Sequence, residues 1–424
     1  MRTTRRVFLI GLAAATLAGC GLSGTNEQGG AVAGEVKGEI TFQTWALKPK
    51  YTQYVEGVIA AFQQEHAGTM VKWIDQPADG YLTKVLADAS AGSLPDVINV
   101  PPDLSFPLAK AGQLVNLDEA AADAKKDYLD NAWAAYAIPG KAGTYGFPWY
   151  LNTGPVFYNK ALFQQAGLNP DSPPTTFAEL EAAALTMAQK TDRQVAMLGQ
   201  TPSIADFGLY GVEMMNADGT KFTFNSAKGV ELVDMYKRMY DAGGLVAEAL
   251  TQNYTGSGAK FMAQQTALTP GSAYDLGKFK TDAPSLYANI GITKPITNTG
   301  KANMFVHGVS VPTSSKNKPT ALAFGRFVTN AANQLAFSKV ATIFPSSRDG
   351  MEDPYFTTED GTDEARVRVA AAKQLGDSIN YTPVQFSQQM QDSLRQNLAD
   401  AMLGKKSAQQ ALDDTVAECD RLLG

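Results

Sequence analysis

Cysteine is almost missing from this chain: Cys20 and Cys419 are the only two in 424 residues. So small a supply excludes a disulfide framework, and stability has to come from a packed core. Histidine is as scarce, with two in the whole sequence, and no cysteine or carboxylate cluster accompanies it, so no metal centre is expected. Charged residues make up only 18%, and their balance leaves a net charge of −6 and a pI near 5.2. No basic stripe interrupts that balance, which argues against a nucleic-acid partner. Past the first twenty residues no uninterrupted apolar run is long enough to span a bilayer. A Gly-x-Ser-x-Gly elbow, a metal-binding His pair and a Walker loop are missing too, so no enzymatic activity is expected, and no cofactor.

What the chain does have begins at once. Arg2, Arg5 and Arg6 precede an apolar run from Val7 to Ala18, closed by Leu17-Ala18-Gly19-Cys20. A basic start, a short apolar stretch and small residues at the end make an export signal over residues 1–19. The last four residues resemble the lipobox of bacterial lipoproteins, which implies a lipid on Cys20 and attachment to the extracytoplasmic face of the cell membrane. Thr4-Arg5-Arg6-Val7-Phe8-Leu9 also resembles a twin-arginine signal, so export by that route or by the general secretory route is open. The polar, glycine-rich stretch 20–37 reads as a flexible tether. With Cys20 lipidated, Cys419 has no disulfide partner. It lies among Leu412, Val416, Leu422 and Leu423 at helical spacing, which predicts a buried thiol in a terminal helix.

Beyond the tether, strand-like and helix-like segments alternate. Glu39–Trp45, Met70–Ile74 and Pro95–Val100 read as strands, and Tyr51–Glu65 and Tyr81–Ala91 as helices, the pattern of an α/β domain with a largely parallel sheet. Further helices are expected at 177–190, 226–242, 316–333 and 383–402, the first capped by Thr175 or Thr176.

Tyr145-Gly146-Phe147-Pro148-Trp149-Tyr150 leads into Tyr158-Asn159-Lys160, then Ala166-Gly167-Leu168, then Pro173-Pro174-Thr175-Thr176-Phe177 and Glu179-Leu180. This series, with Gly92–Val97, Ala111–Leu117 and Ala341–Arg348, closely resembles the sugar-type, maltose-binding-protein-like members of bacterial extracellular solute-binding protein family 1. The resemblance covers nearly all of residues 38–424. It implies a two-lobed periplasmic-binding-protein type II fold, α/β in class, with the ligand held between the lobes. On that pattern 38–149 and 308–345 form the N-terminal lobe, and 150–307 and 346–424 the C-terminal lobe. The crossings then fall near Trp149–Asn152, Val306–Val309 and Phe344–Ser347.

A saccharide offers apolar C–H faces and a rim of hydroxyls, so rings and planar polar groups at the carboxyl ends of strands are the candidates. In the first lobe these are Trp45, Gln76, Tyr81 and Asp103, with Asp103 opening a loop after the third strand. At the first crossing they are Trp149, preferred over Tyr150, and Asn152. In the second lobe they are Tyr254, Gly271, Ser272 and Tyr274, the last standing where the family often has a Trp platform. Tyr210 is a weaker candidate. Arg348 follows the third crossing and suits a hydroxyl pair, a phosphate or an inter-lobe ion pair. His307 falls on the second crossing.

The leading expectation is a monomeric, lipid-anchored receptor that closes on a di- or oligosaccharide and passes it to the transmembrane permease subunits of an ABC importer. A glycerophosphate or phosphodiester ligand is the alternative and requires a cationic cleft around Arg348, Lys48 or Lys50. A secreted glycosidase, using two of Asp96, Asp103 and Asp206, is the third reading.

Overall fold

The computed structural model describes residues 34–251 and 254–423. The expected export signal, Cys20 and most of the expected tether lie outside the described residues. Strands β1 (Gly38–Trp45), β2 (Thr69–Gln76) and β3 (Val97–Val100) run parallel, linked by the helices Thr52–Glu65 and Tyr81–Ser90. A hairpin of β4 (Ala137–Ile138) and β5 (Lys141–Thr144) leads into β6 (Phe147–Asn152). Next come β7 (Val156–Asn159), β8 (Leu268–Pro270) and β9 (Ile290–Thr293), which form an antiparallel sheet of their own. β10 (Phe305–Ser310) and β11 (Phe344–Pro345) then return to the first sheet, whose order is β11-β6-β10-β3-β1-β2. The three passages read as crossings therefore lie side by side as β11, β6 and β10.

Each sheet has its own core. Phe42, Phe62, Phe147, Trp149, Phe324 and Phe337 pack on the six-stranded sheet. Phe163, Leu180, Met187, Phe207, Phe224, Leu398 and Leu412 fill the lobe around the three-stranded one. Each such side chain contributes roughly 1.5–3 kcal/mol on leaving water. Cys419 is fully buried in the second core, and burial pushes its thiol up to about 12. Such a group stays protonated and packs as a small apolar residue.

Local chemistry explains most element ends. Thr176 caps the helix Phe177–Lys190 in a reciprocal pair with Glu179, as one of the two expected threonines. The single helix expected at 316–333 is instead two, Lys318–Val328 and Ala331–Ala341. Asn330 caps the second, its side chain accepting from the Asn333 amide. Asp96 is consumed in holding the sheet together: it accepts from the Thr41 amide (2.8 Å), the Thr41 hydroxyl (2.9 Å) and the Ser315 hydroxyl (2.7 Å). Asp206 accepts from the Ser203 amide and hydroxyl at 2.7 and 2.6 Å, capping its own helix. Both carboxylates are thus committed to contacts that hold the fold.

The start of the described chain is fastened as well. The Lys37 amide donates to the Thr320 hydroxyl at 3.0 Å. The Lys37 carbonyl accepts from that hydroxyl at 2.8 Å and from the Asn317 side-chain Nδ2 at 2.5 Å. This holds the chain to the helix Lys318–Val328 immediately before β1.

Candidate functional site

The carboxyl ends of β1, β2 and β3 gather the polar and aromatic groups, with the amino end of the antiparallel β10 beside them. Trp45 ends β1 and Gln76 ends β2, directly opposite it. Asp75, one residue earlier, accepts from the Thr44 hydroxyl (2.6 Å) and the Leu47 and Lys48 amides (3.0 and 2.9 Å). One carboxylate thus fixes the loop that sets the pose of Trp45. Tyr81 lies under Trp45, rings stacked at 5.3 Å and 12°. Its own ring is buried and its hydroxyl donates to the Asn99 carbonyl at 2.7 Å, so it supports the platform more than it presents itself.

The row of rings continues. His307 sits 5.5 Å from Trp45 and stacks on Tyr150 at 5.0 Å and 7°. Tyr150 in turn meets Phe337, which packs against Tyr51 and Tyr54. This ledge of Tyr81, Trp45, His307 and Tyr150 is half-buried in all members but Tyr81. Asp103 follows β3, the strand paired with β10. It stands in the first turn of the helix Pro102–Lys110, not on a loop as expected, because Pro102 at the first helical position presets the turn. Burial raises the Asp103 carboxyl above its usual range, against the opposing pull of the Asp103 and Leu104 amides.

Trp149 is corrected. It is fully buried, stacked on Phe337 at 5.1 Å and packed with Phe42. Phe147, Trp149 and Leu151 all face cores, while Tyr150 and Asn152 are half-buried. The register with β10 slips between His307 and Gly308, leaving Trp149 without an opposite residue and pairing Tyr150 with His307. Such a bulge re-aims side chains. Tyr150, the residue passed over, therefore stands in the ledge while Trp149 does not. Asn152 ends β6, and its side-chain oxygen is buried with no hydrogen-bond partner.

Two more expectations change, and Arg348 takes up an ion pair, one of the roles expected of it. Gly271 makes room for its own chain: a Cβ there would lie 2.5 Å from the Phe157 ring, and its amide donates to the Pro155 carbonyl. Ser272 caps the helix Ala273–Asp282, donating to Asp275 at 2.7 Å and accepting from the Asp275 amide. Arg348 donates to Asp130 at 2.7 Å and lines a separate cavity of about 350 Å³ with Leu129, Met351 and Phe356. It shares no contact with the ledge. Tyr210 is buried in the core of the second lobe. Tyr254 begins the helix Tyr254–Met262 and Tyr274 lies in the first turn of Ala273–Asp282, but their side chains lie outside the described residues.

His307 is the ledge residue whose part the sequence reading left open. Its Nδ1 is buried without a partner, and burial lowers its pKa from 6.5 to about 4. An unfolded chain takes up the proton near 6.5, so it does so before the folded one. The stability held above that pH should therefore fall as pH drops from 6.5 toward 4, by up to about 3 kcal/mol, and then level off. Melting temperatures compared between pH 7.5 and 5 for wild type and H307Q check this. The variant should show the shallower fall.

The sequence model of the bacterial extracellular solute-binding protein family matches residues 46–335. The chain belongs to that family. Among relatives of this solute-binding protein is a Brucella abortus (strain 2308) binding protein. It is 24% identical over an alignment of 403 residues and covers 91% of this chain and 93% of the relative. The galactooligosaccharide-binding protein of Bacillus subtilis (strain 168) is 24% identical and aligns with 84% of this chain and 83% of its own. A crystal structure from Synechococcus sp. MITs9220, assigned as an oligosaccharide periplasmic-binding protein, superposes with a TM-score of 0.79. It is 26% identical and covers 91% of this chain and 98% of its own. The solute-binding protein thus has the two-lobed α/β architecture of its relatives, and those relatives are binding proteins. Among the described residues no helix is long and apolar enough to cross a membrane, and no group of His, Cys, Asp and Glu is arranged to hold a metal ion.

Proposed function

We propose that this protein captures a neutral di- or oligosaccharide between its lobes and hands it to the permease of an ABC importer. The observation that carries the reading is the ledge: four adjoining rings with no lysine or arginine in the row, Gln76 opposite Trp45, Asn152 two residues past Tyr150 and Asp103 just beyond β3. Ring faces take the C–H faces of a sugar, and amides and a carboxylate take its hydroxyls. The galactooligosaccharide-binding and oligosaccharide-binding relatives point the same way. A phosphate ligand loses its strongest anchor, because Arg348 is paired with Asp130 away from the ledge. Lys48 and Lys50 lie over the rings of Trp73 and Tyr51.

The wider reading keeps 38–149 with 308–345 as one lobe and 150–307 with 346–424 as the other. In it the protein works as a monomer, exported and held to the extracytoplasmic face of the membrane by a lipid on Cys20. Ligand stabilises the closed form because only that form touches it from both lobes.

Calorimetric titration of the purified protein with a panel of oligosaccharides tests the proposal. At least one sugar should bind, its affinity should change little between low and high salt, and R348A should bind it as wild type does. Binding confined to phosphate-bearing ligands and lost in high salt would return the alternative. Binding of none would end the saccharide reading.

A further inference from the structure

Phe305 begins β10 and is 55% exposed, while its neighbours Met304 and Val306 are buried at 1% and 3%. The burial of those two already anchors the crossing strand, in a cluster with Leu151 and Phe344. The Phe305 ring is therefore surplus to folding. A lone exposed apolar residue is ordinary; the position of this one is not. Phe305 is paired directly with Asn152, and His307, two residues on, is paired with Tyr150. Opposite residues of an antiparallel pair share a face, and so do residues two apart in a strand. Phe305 and Asn152 thus extend the face of the ledge by one step, along strands leading toward the second lobe.

The second observation concerns Asn152 itself. Its buried side-chain oxygen has no partner, a condition that is unfavourable when left unrelieved. The terminal torsion of an Asn side chain is soft, so a small rotation turns the amide toward an incoming hydroxyl.

Resting on the saccharide reading above, we propose that these paired crossing strands carry a ligand subsite of their own. The ring of Phe305 takes the apolar C–H face of one sugar ring, and the Asn152 side chain takes hydroxyls of that same ring. A sugar seated there touches the first and second crossings together, so its binding is sensed by both hinge strands at once. Phe305 is a specificity-determining residue in this arrangement, because a flat ring selects for a flat apolar face.

The test uses the full chain and a panel of maltose, cellobiose, melibiose, N,N′-diacetylchitobiose and their trisaccharide counterparts, read by calorimetry. F305A and F305L should each weaken the best-bound sugar by about tenfold or more, and F305W should hold it within about threefold. N152A should weaken it as well. Melting temperatures of the Phe305 variants should stay close to wild type, since the ring is exposed. Leucine separates the roles: it supplies bulk to a hinge but no flat face to a sugar. Wild-type affinity in F305L, or in F305A, would overturn the subsite while leaving the saccharide reading intact. A folded wild-type protein that binds no member of the panel would overturn both.

Discussion

Replacing Trp149 with alanine should cost about 3–5 kcal/mol of stability, the usual toll of emptying a large buried aromatic site. The ring is fully buried and touches Phe42, Tyr150 and Phe337, so its loss opens a cavity that rigid strands cannot collapse into. In a lobe of this size the melting temperature should fall by roughly 10 °C or more. Differential scanning calorimetry of W149A checks it. The more conservative W149F should recover most of the loss, because phenylalanine refills much of the space. A W149A protein that melts like wild type yet no longer binds ligand would place Trp149 back in the cleft.

Trp45 to alanine is the opposite kind of change. Trp45 is half-buried, and what it contributes is a surface between Tyr81 and His307. W45A should reduce affinity for the panel's best sugar by about 30-fold or more, in line with the loss of an aromatic anchor at a binding hot spot. The cost in stability should be smaller than for W149A. The emission of Trp45 should also report binding: wild type changes its fluorescence on adding the sugar, and W45F does not while still binding measurably. Trp133 and Trp149 are buried in the first core and Trp73 donates to the Thr44 hydroxyl, so little of the signal should come from them. An undiminished fluorescence change in W45F would move the binding surface away from β1.

The contrast between these tryptophans shows what the sequence could tell and what it could not. Strand and helix alternation up to Val100 is legible because period-two and helical apolar spacing are local. The face of Trp149 was legible too: Phe147, Trp149 and Leu151 alternate with Pro148, Tyr150 and Asn152, and the large apolar set belongs inside. Other facts were beyond reach. The pairing of His307 with Tyr150 depends on a bulge that exists only once β6 and β10 meet. Arg348 finds Asp130 across 218 positions of chain, and no local pattern announces such a partner. Ser272 looked like a ligand contact because capping and hydroxyl recognition call on the same residue type. Asp103 was placed correctly after β3, but its helix was hidden behind the two prolines that begin it.

The clamp on Lys37 has a mechanical consequence. β1 is eight residues long, about 26 Å from end to end, with Lys37 at one tip and Trp45 at the other. A pull on the chain before Lys37 first loads the bonds to Thr320 and Asn317. It then runs along β1, whose ladders to β2 and β3 lie parallel to the force and resist in shear, all bonds together. Strands pulled that way yield far less readily than strands peeled open one bond at a time. Force entering before Lys37 is therefore met at the amino end of β1, a strand's length from the end that carries Trp45.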